Sequence, residues 1–279
     1  MAKGISLHIG LNKIDKKHYG TDGALAACEA DANDMHQIAK EAGFRAKKLL
    51  SPQGTREAVI SGIQAAAKSL VAGDMFFISY AGHGAQVPDR NSDEDDGRDE
   101  TWCLYDGMLI DDELKRLWTK FKAGVRILVL SDSCHSGTVV RALPGWTDGM
   151  NDNTAYPADL PAYRFLPTSV SFRAFRANKT FYEAIIAELA KKLKKPAEMK
   201  ADLLLISGCQ DNQTSADGRH NGLFTGTLLS VWNEGQFSGD YAKLHRRIVS
   251  LMPARQTPNL MTMGPNPERF KAQRPFEIK

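Results

Sequence analysis

Hydrophobic residues in this chain alternate between short unbroken runs and stretches spaced like one face of a helix. Ile5 to Leu11 is an apolar run framed by Gly4 and Gly10, and Cys28 to Ala42 then carries helical spacing until Gly43 stops it. The same reading predicts a strand at 46–50, an Ala-rich helix from Thr55 to Val71, and a strand from Asp74 to Tyr80. That strand (Asp-Met-Phe-Phe-Ile-Ser-Tyr) is apolar without alternation, which predicts burial on both faces. After an acidic loop, Asp111 is placed to cap a helix running to about Phe121, and Val125 to Leu130 reads as the next strand. Repeated strand-helix alternation implies an α/β fold with a mostly parallel sheet.

Periodicity fades from Thr138 to about Asn178, where Pro, Gly, Asn and Arg dominate, and the segment reads as a surface excursion of the same domain. It resumes with a helix from Thr180 to Lys195, a strand from Leu203 to Ser207, helices near Leu223 to Asn233 and Asp240 to Leu251, and an edge strand near Asn259 to Met263. The expected organisation is one domain over 1–279, with a first part to residue 140, an irregular excursion and helix over 141–200, and a closing part over 201–279. No internal repeat at a period of 20 to 50 residues is visible.

Composition narrows the class without selecting an activity. At 279 residues, 42% hydrophobic and 25% charged, the chain matches ordinary globular proteins and is long enough to bury a core. Lys plus Arg number 36 against 33 Asp plus Glu, a balance of +3 that argues against nucleic acid as a partner. Four cysteines (Cys28, Cys103, Cys134, Cys209) form no CxxC pair, so neither a disulfide scaffold nor a structural zinc site is expected. The N-terminus lacks the apolar run of a signal peptide and no stretch approaches a membrane span, so a reduced, cytoplasmic location is expected.

In parallel sheets, ligands gather beyond the carboxyl ends of the strands. Two such ends stand out, Tyr80-Ala81-Gly82-His83-Gly84-Ala85 and Ser131-Asp132-Ser133-Cys134-His135-Ser136-Gly137-Thr138. A thiolate attacks a carbonyl when a nearby imidazole takes its proton and backbone N–H groups receive the charge formed on oxygen. Cys134 is therefore the expected nucleophile and His83 the base, with the N–H groups of Gly84 and Cys134 as the oxyanion hole. His135 is a rival base, but neighbours on an extended segment point to opposite sides. His8, His18, His36, His220 and His245 read as structural or surface residues. Asp132 lies two positions from Cys134 and leaves the same face if strand geometry persists, which puts a carboxylate beside the nucleophile. Such a pocket would attract Arg or Lys.

Tyr80-Ala81-Gly82-His83-Gly84, followed about 50 positions later by Asp132-Ser133-Cys134-His135-Ser136-Gly137, resembles the metacaspase and orthocaspase branch of the caspase-like cysteine peptidases. Ser207-Gly208-Cys209-Gln210-Asp211-Asn212-Gln213-Thr214-Ser215-Ala216-Asp217 and Gln256-Thr257-Pro258 are similar to that branch too. The Gln-Ala-Cys of true caspases is replaced by Asp-Ser-Cys. The resemblance implies a caspase-like three-layer fold, cleavage after Arg or Lys, and a monomer whose substrates are peptides or proteins, itself included. It brings Asp31 to the pocket as a second carboxylate with Cys28 nearby, where the residue alone would read equally well as a solvated first-turn aspartate. The position before Gly82, often Ser in the family, is Ala81 here, so one pocket hydroxyl is missing.

The acidic stretch Ser92-Asp93-Glu94-Asp95-Asp96-Gly97-Arg98-Asp99-Glu100 reads either as a solvated loop or as a Ca²⁺ ligand source. It is not an EF-hand, since Asp96 falls where glycine is required. The resemblance implies a different Ca²⁺ site at Asp99, Asp111 and Asp112, whose further family aspartate corresponds to Arg141 here. A guanidinium there would oppose the cation, so no cofactor requirement is expected. Family members often cut themselves, which would fall within 138–180, with Arg141, Arg164, Arg173, Arg176 and Lys179 as candidates. Three rival readings fit the residues less well. A cysteine phosphatase using Cys134 and Arg141 has a loop one residue too long, a scaffold that kept the fold would not need both His83 and Cys134, and neither nucleotide-binding glycine motif follows a strand.

Overall fold

The computed structural model describes residues 1–88, 98–133, 163–192, 198–209 and 215–279. Its centre is a six-stranded sheet in the order β2-β1-β3-β7-β8-β9. The strands are β1 (Gly4–Gly10), β2 (Arg45–Leu50), β3 (Met75–Ala81), β7 (Arg126–Asp132), β8 (Asp202–Ser207) and β9 (Asn259–Met263). The first five run parallel, and β9 closes the edge antiparallel to β8.

Both faces are covered, which explains why β3 and β7 carry apolar residues without alternation. Phe76 and Ile78 of β3 and Ile127 and Val129 of β7 pack with α3 (Arg56–Ser69) and α4 (Asp111–Trp118) through Val59, Ile63, Leu114 and Trp118. The intervening residues Met75, Phe77, Leu128 and Leu130 point to the other face. They meet α2 (Cys28–Glu41), α7 (Leu223–Trp232) and α8 (Tyr241–Leu251) through Met35, Phe224, Leu228, Leu244 and Ile248. This is the three-layer, caspase-like α/β architecture expected above. At the other edge, β2 exposes Arg45, Lys47 and Lys48, charges that discourage strand addition.

Three departures from the sequence reading occur. Beyond β3 the chain forms a second, antiparallel sheet of β4 (Gly84–Pro88), β5 (Arg98–Leu104) and β6 (Gly107–Ile110) where only a loop was expected. The excursion also regains order earlier, with α5 (Thr168–Ala177) packing Ala174 and Phe175 against Ala85, Val87 and Cys103 of that sheet before α6 (Lys179–Lys192). Finally, Asp111 is the first residue of α4 and Ile110 is its N-cap, whose N–H donates to the Glu113 carboxylate at 3.2 Å. Two short helices also lay outside the sequence reading, α1 (Lys16–Tyr19) and α9 (Pro267–Lys271). Among the described residues no helix is long and apolar enough to cross a membrane.

Candidate functional site

The carboxyl ends of β3 and β7 lie side by side, with Ala81 paired to Asp132 in the sheet register. Tyr80 stacks on Trp102 at 4.7 Å between ring centres, and its single O–H is shared between the carbonyls of His83 (2.7 Å) and Cys103 (3.0 Å). The Cys103 N–H donates to the same His83 carbonyl at 2.9 Å. These bonds hold the Gly82-His83-Gly84 turn over the sheet end. On β7, Ser131 accepts from the Trp102 indole (3.0 Å) and lies 3.0 Å from the Ser133 hydroxyl, while the Cys209 thiol donates to the Ser133 carbonyl at 3.4 Å. The chain is thus anchored up to the residue before Cys134. Cys134 itself, Arg141 and the acidic residues 92–97 lie outside the described residues.

His83 is buried, and its Nε2 lies 2.9 Å from the Gly23 carbonyl. A carbonyl only accepts, so Nε2 carries the hydrogen and the neutral ring keeps its lone pair on Nδ1. Nδ1 has no hydrogen-bond partner among the described residues. Burial lowers the imidazole's pKa to about 4, with the Gly23 carbonyl opposing the shift. Gly23 has a φ of +51°, and a Cβ there would come within 3.1 Å of the His83 ring, so this carbonyl is presented by a position suited to glycine.

Beside this histidine lies a buried carboxylate slot filled by the guanidinium of Arg164. Nη2 of Arg164 meets Asp31 at 2.5 Å and Asp217 at 3.0 Å, Nη1 meets Asp132 at 2.8 Å, and Nε donates to Asp217 at 3.3 Å. Side-chain exposure is 0% for Arg164 and 1%, 3% and 2% for Asp31, Asp132 and Asp217. Each carboxylate is held by further donors. Asp132 accepts from the hydroxyls of Ser215 (2.5 Å) and Thr225 (2.8 Å), Asp31 from Asn221 (2.9 Å) and the Gly222 N–H (3.1 Å), and Asp217 from the Ala26 N–H (2.7 Å). Gly222 forms a wall, since a Cβ there would stand 2.6 Å from the guanidinium. Burial raises the Asp31 pKa, with Arg164 pulling it back down.

The backbone around Arg164 is bound as well. Its N–H donates to the Ser215 carbonyl at 3.0 Å, its carbonyl accepts from the Gly84 N–H at 3.0 Å, and the Leu166 N–H donates to the Gly84 carbonyl at 2.8 Å. Tyr163 bridges Ala216 antiparallel and Phe165 bridges Gly84 in parallel, so residues 163–166 cross the site as an added strand.

The structure therefore brings Asp31, Asp132, Ala81, Gly84 and His83 to one place. Asp31 is a buried slot residue, not a solvated first-turn one. Cys28 is buried near the slot with its thiol pKa pushed up by burial, Cys103 is pushed up to about 12, and Cys209 is buried. Asp217, Ser215, Asn221, Gly222, Thr225 and Gln256 were missed. Gln256 holds the floor, donating to the Ser215 hydroxyl (2.8 Å) and the Gly208 carbonyl (3.0 Å). Ser215, Asp217 and Gln256 fall within the two later motifs quoted above, which the sequence reading left without roles. Asn221, Gly222 and Thr225 carried no local signal.

Asp99, Asp111 and Asp112 are the carboxylates that the resemblance implies for Ca²⁺. Lys115 faces Asp111 at 2.9 Å and Asp112 at 3.6 Å, while Asp99 is buried on β5. Among the described residues no three His, Cys, Asp or Glu are grouped to hold a metal ion.

A parallel sheet whose central strand ends present a buried histidine and a carboxylate slot defines a caspase-like α/β protein. The family model for the caspase domain matches residues 4–275, and the chain belongs to that family. Among similar proteins are Metacaspase-1 of Candida albicans, 30% identical over 297 residues (93% of this chain, 65% of that protein), and Metacaspase-1 of Coccidioides immitis, 30% identical over 256 residues (80% and 52%). The chain thus spans about half to two thirds of the length of these curated relatives. The crystal structure of protein GSU0716 from Geobacter sulfurreducens is similar over 99% of both chains, with a TM-score of 0.87 and 51% identity.

Proposed function

We propose that the protein is a cysteine endopeptidase that cleaves after arginine, with Cys134 as nucleophile and His83 as base. The observation that carries this reading is the Asp31, Asp132 and Asp217 slot holding a guanidinium while the same residue's carbonyl accepts from Gly84. In that geometry the Gly84 N–H receives the charge that forms on the carbonyl oxygen during attack. Nδ1 of His83 takes the thiol proton and returns it to the leaving amine. Cys28 and Cys103 are held protonated by burial, and Cys209 is buried with its thiol donating to the Ser133 carbonyl, so all three are poor nucleophiles and the role falls to Cys134. Membership of the caspase-domain family supports the same chemistry.

Three carboxylates surround Nε, Nη1 and Nη2, with Asp217 reaching both Nε and Nη2, a planar set that a single ammonium cannot reproduce. Fluorogenic peptides ending in Arg are therefore turned over at least about tenfold better, in kcat/KM, than those ending in Lys, the equivalent of about one charge-assisted hydrogen bond. Peptides ending in Asp are not turned over, because a fourth carboxylate would enter the slot. Turnover of a phosphate ester alone, with no peptide cleaved, would sink the reading.

Calcium dependence is proposed to be weak or absent, since Lys115 already faces two of the three implied ligands. Turnover of the Arg peptide is then equal, within about twofold, in EDTA and in excess Ca²⁺. A strict Ca²⁺ requirement contradicts this.

A further inference from the structure

The outward face of α8 carries charge that the peptidase reading leaves unused. Tyr241, Leu244 and Ile248 are the buried face of this helix, so Lys243, Arg246 and Arg247, within about one turn of each other, stand together on its exposed side. They line a cleft of about 580 Å³ between α8, the carboxyl end of α7 and the turn that follows α7. No acidic residue lines this cleft, and none of the three cations forms an ion pair with another described residue. The stem of Lys243 lies across Gly239, where a Cβ would stand 2.6 Å from its Cδ. Ser230 and Ser238 are exposed in the lining and add hydroxyl donors, while the Ser250 hydroxyl is committed to the Arg247 carbonyl at 2.8 Å. Val231, Phe237 and Leu251 form an apolar wall, of which Leu251 is exposed.

We infer that this cleft binds a small molecule carrying two or more linked phosphates. The inference does not rest on the peptidase reading, since the cleft lies at the other end of α7 from Gly222 and Thr225, which serve the carboxylate slot. Charge density selects phosphate over a carboxylate-bearing peptide. Lys243 to Arg247 spans about 6 Å along the helix at about 1.5 Å per residue, and three positive charges sit within that span. An extended peptide offers same-side carboxylates only about every 6 to 7 Å, with one charge each. A phosphoryl group brings about 1.5 to 2 negative charges and three acceptor oxygens, so two linked phosphates match the three cations and the two free hydroxyls.

Opposing charge nearby is small. The carboxyl end of α7 contributes about half a negative charge against three full positive ones. Asp240 caps α8 by accepting from the Lys243 N–H at 2.7 Å, and Glu234 lies outside the lining. Side chains here do the work that backbone N–H groups do in a glycine-rich phosphate loop, so the nucleotide motifs sought in the sequence are silent about this cleft. Two sources share the ligand chemistry, inorganic polyphosphate and nucleoside di- or triphosphates, and the apolar wall separates them. A nucleoside lays its base on Val231, Phe237 and Leu251, whereas an inorganic chain leaves that wall wet.

The test is isothermal titration of the full chain with inorganic tripolyphosphate, ATP and a Glu-rich peptide, at low and high salt. Wild type is expected to bind both phosphate compounds, and Arg246→Gln/Arg247→Gln to bind them at least about tenfold more weakly, the equivalent of one charge-assisted hydrogen bond. Affinity is expected to fall as salt rises, because these cations are exposed. Arg45→Gln/Lys47→Gln removes two exposed charges from β2, outside the cleft, and is expected to bind as wild type does. All four substituted cations are exposed, and unchanged circular dichroism keeps folding out of the comparison. ATP binding tighter than tripolyphosphate, with the difference lost in Leu251→Ser, assigns the cleft to a nucleotide, and equal affinities assign it to an inorganic chain. Wild type that binds neither phosphate compound overturns the inference, as does equal weakening in the Arg246/Arg247 and β2 variants. Binding of the Glu-rich peptide in place of the phosphates also overturns it and makes the cleft a docking site for acidic peptide.

Discussion

His83→Gln lowers kcat for an Arg peptide by about 10² to 10⁴-fold, the range expected when a positioned general base is lost, and Cys134→Ala abolishes turnover. The reason lies in the two ring nitrogens. Nε2 is committed to the Gly23 carbonyl, so only Nδ1 can accept the thiol proton, and glutamine offers no comparable base. A second readout tests whether the ring is buried in its neutral form. The folded imidazole titrates at about 4 and the unfolded one near 6.5, so between these values the unfolded chain binds more protons than the native one. Stability is therefore lost as pH falls from about 6.5 to about 4, by up to about 3 kcal/mol from this residue. Asp31 works the other way, since its raised pKa costs stability as pH rises, and the comparison of wild type with His83→Gln isolates the histidine. Denaturant titrations of Cys134→Ala with and without His83→Gln are expected to diverge in slope across that window. A His83→Gln enzyme with kcat within threefold of wild type would show that the ring is not the base, and parallel slopes would show that burial does not hold its pKa down.

Asp132→Ala has the second large effect, and it acts on both stability and specificity. In the intact chain Asp132 pairs with Arg164 and accepts from Ser215 and Thr225, all buried. Removing one partner of a buried ion pair typically costs about 3 to 5 kcal/mol, because the remaining polar groups stay desolvated. Asp132→Asn keeps the shape and removes the charge, so it is the variant for kinetics. It is expected to raise KM for Arg peptides by about 10- to 100-fold, the equivalent of one charge-assisted hydrogen bond. Gly222→Ala tests the same slot sterically. Its φ of −60° suits alanine, but the added Cβ would stand 2.6 Å from a guanidinium that three carboxylates hold in place. Its effect is expected both in stability, because the buried Arg164 guanidinium must shift, and in KM for arginine. An Asp132→Asn protein with unchanged KM for Arg peptides would place the specificity slot elsewhere.

Much of this site was legible because its chemistry is local. His83 between two glycines and Asp132 two positions before Cys134 stand at the ends of strands whose unbroken apolar runs announced them, and the structure ends β3 and β7 at those points. The small β4-β5-β6 sheet was not legible, because its charged stretch, beginning with Arg98-Asp99-Glu100, reads as loop until Val87 and Asp99 are known to pair. α5 was hidden for a related reason. Its apolar face is short, and it becomes a helix by packing Ala174 and Phe175 on that same small sheet.

By itself the sequence determined the alternation of strands and helices, the residues on their buried faces, and which two strand ends carry reactive groups, since all of these follow from spacing within about twenty residues. Only the tertiary structure decided which charges meet. Asp31 and Arg164 are 133 positions apart, and Asp132 and Asp217 join them from two further segments. No local rule relates such residues, because an ion cluster is selected by the cost of burying carboxylates without a cation, and that cost arises only once the chain has folded around them. Among five basic residues in the excursion that were equal candidates by sequence, that same cost singles out Arg164 as the one held in the slot.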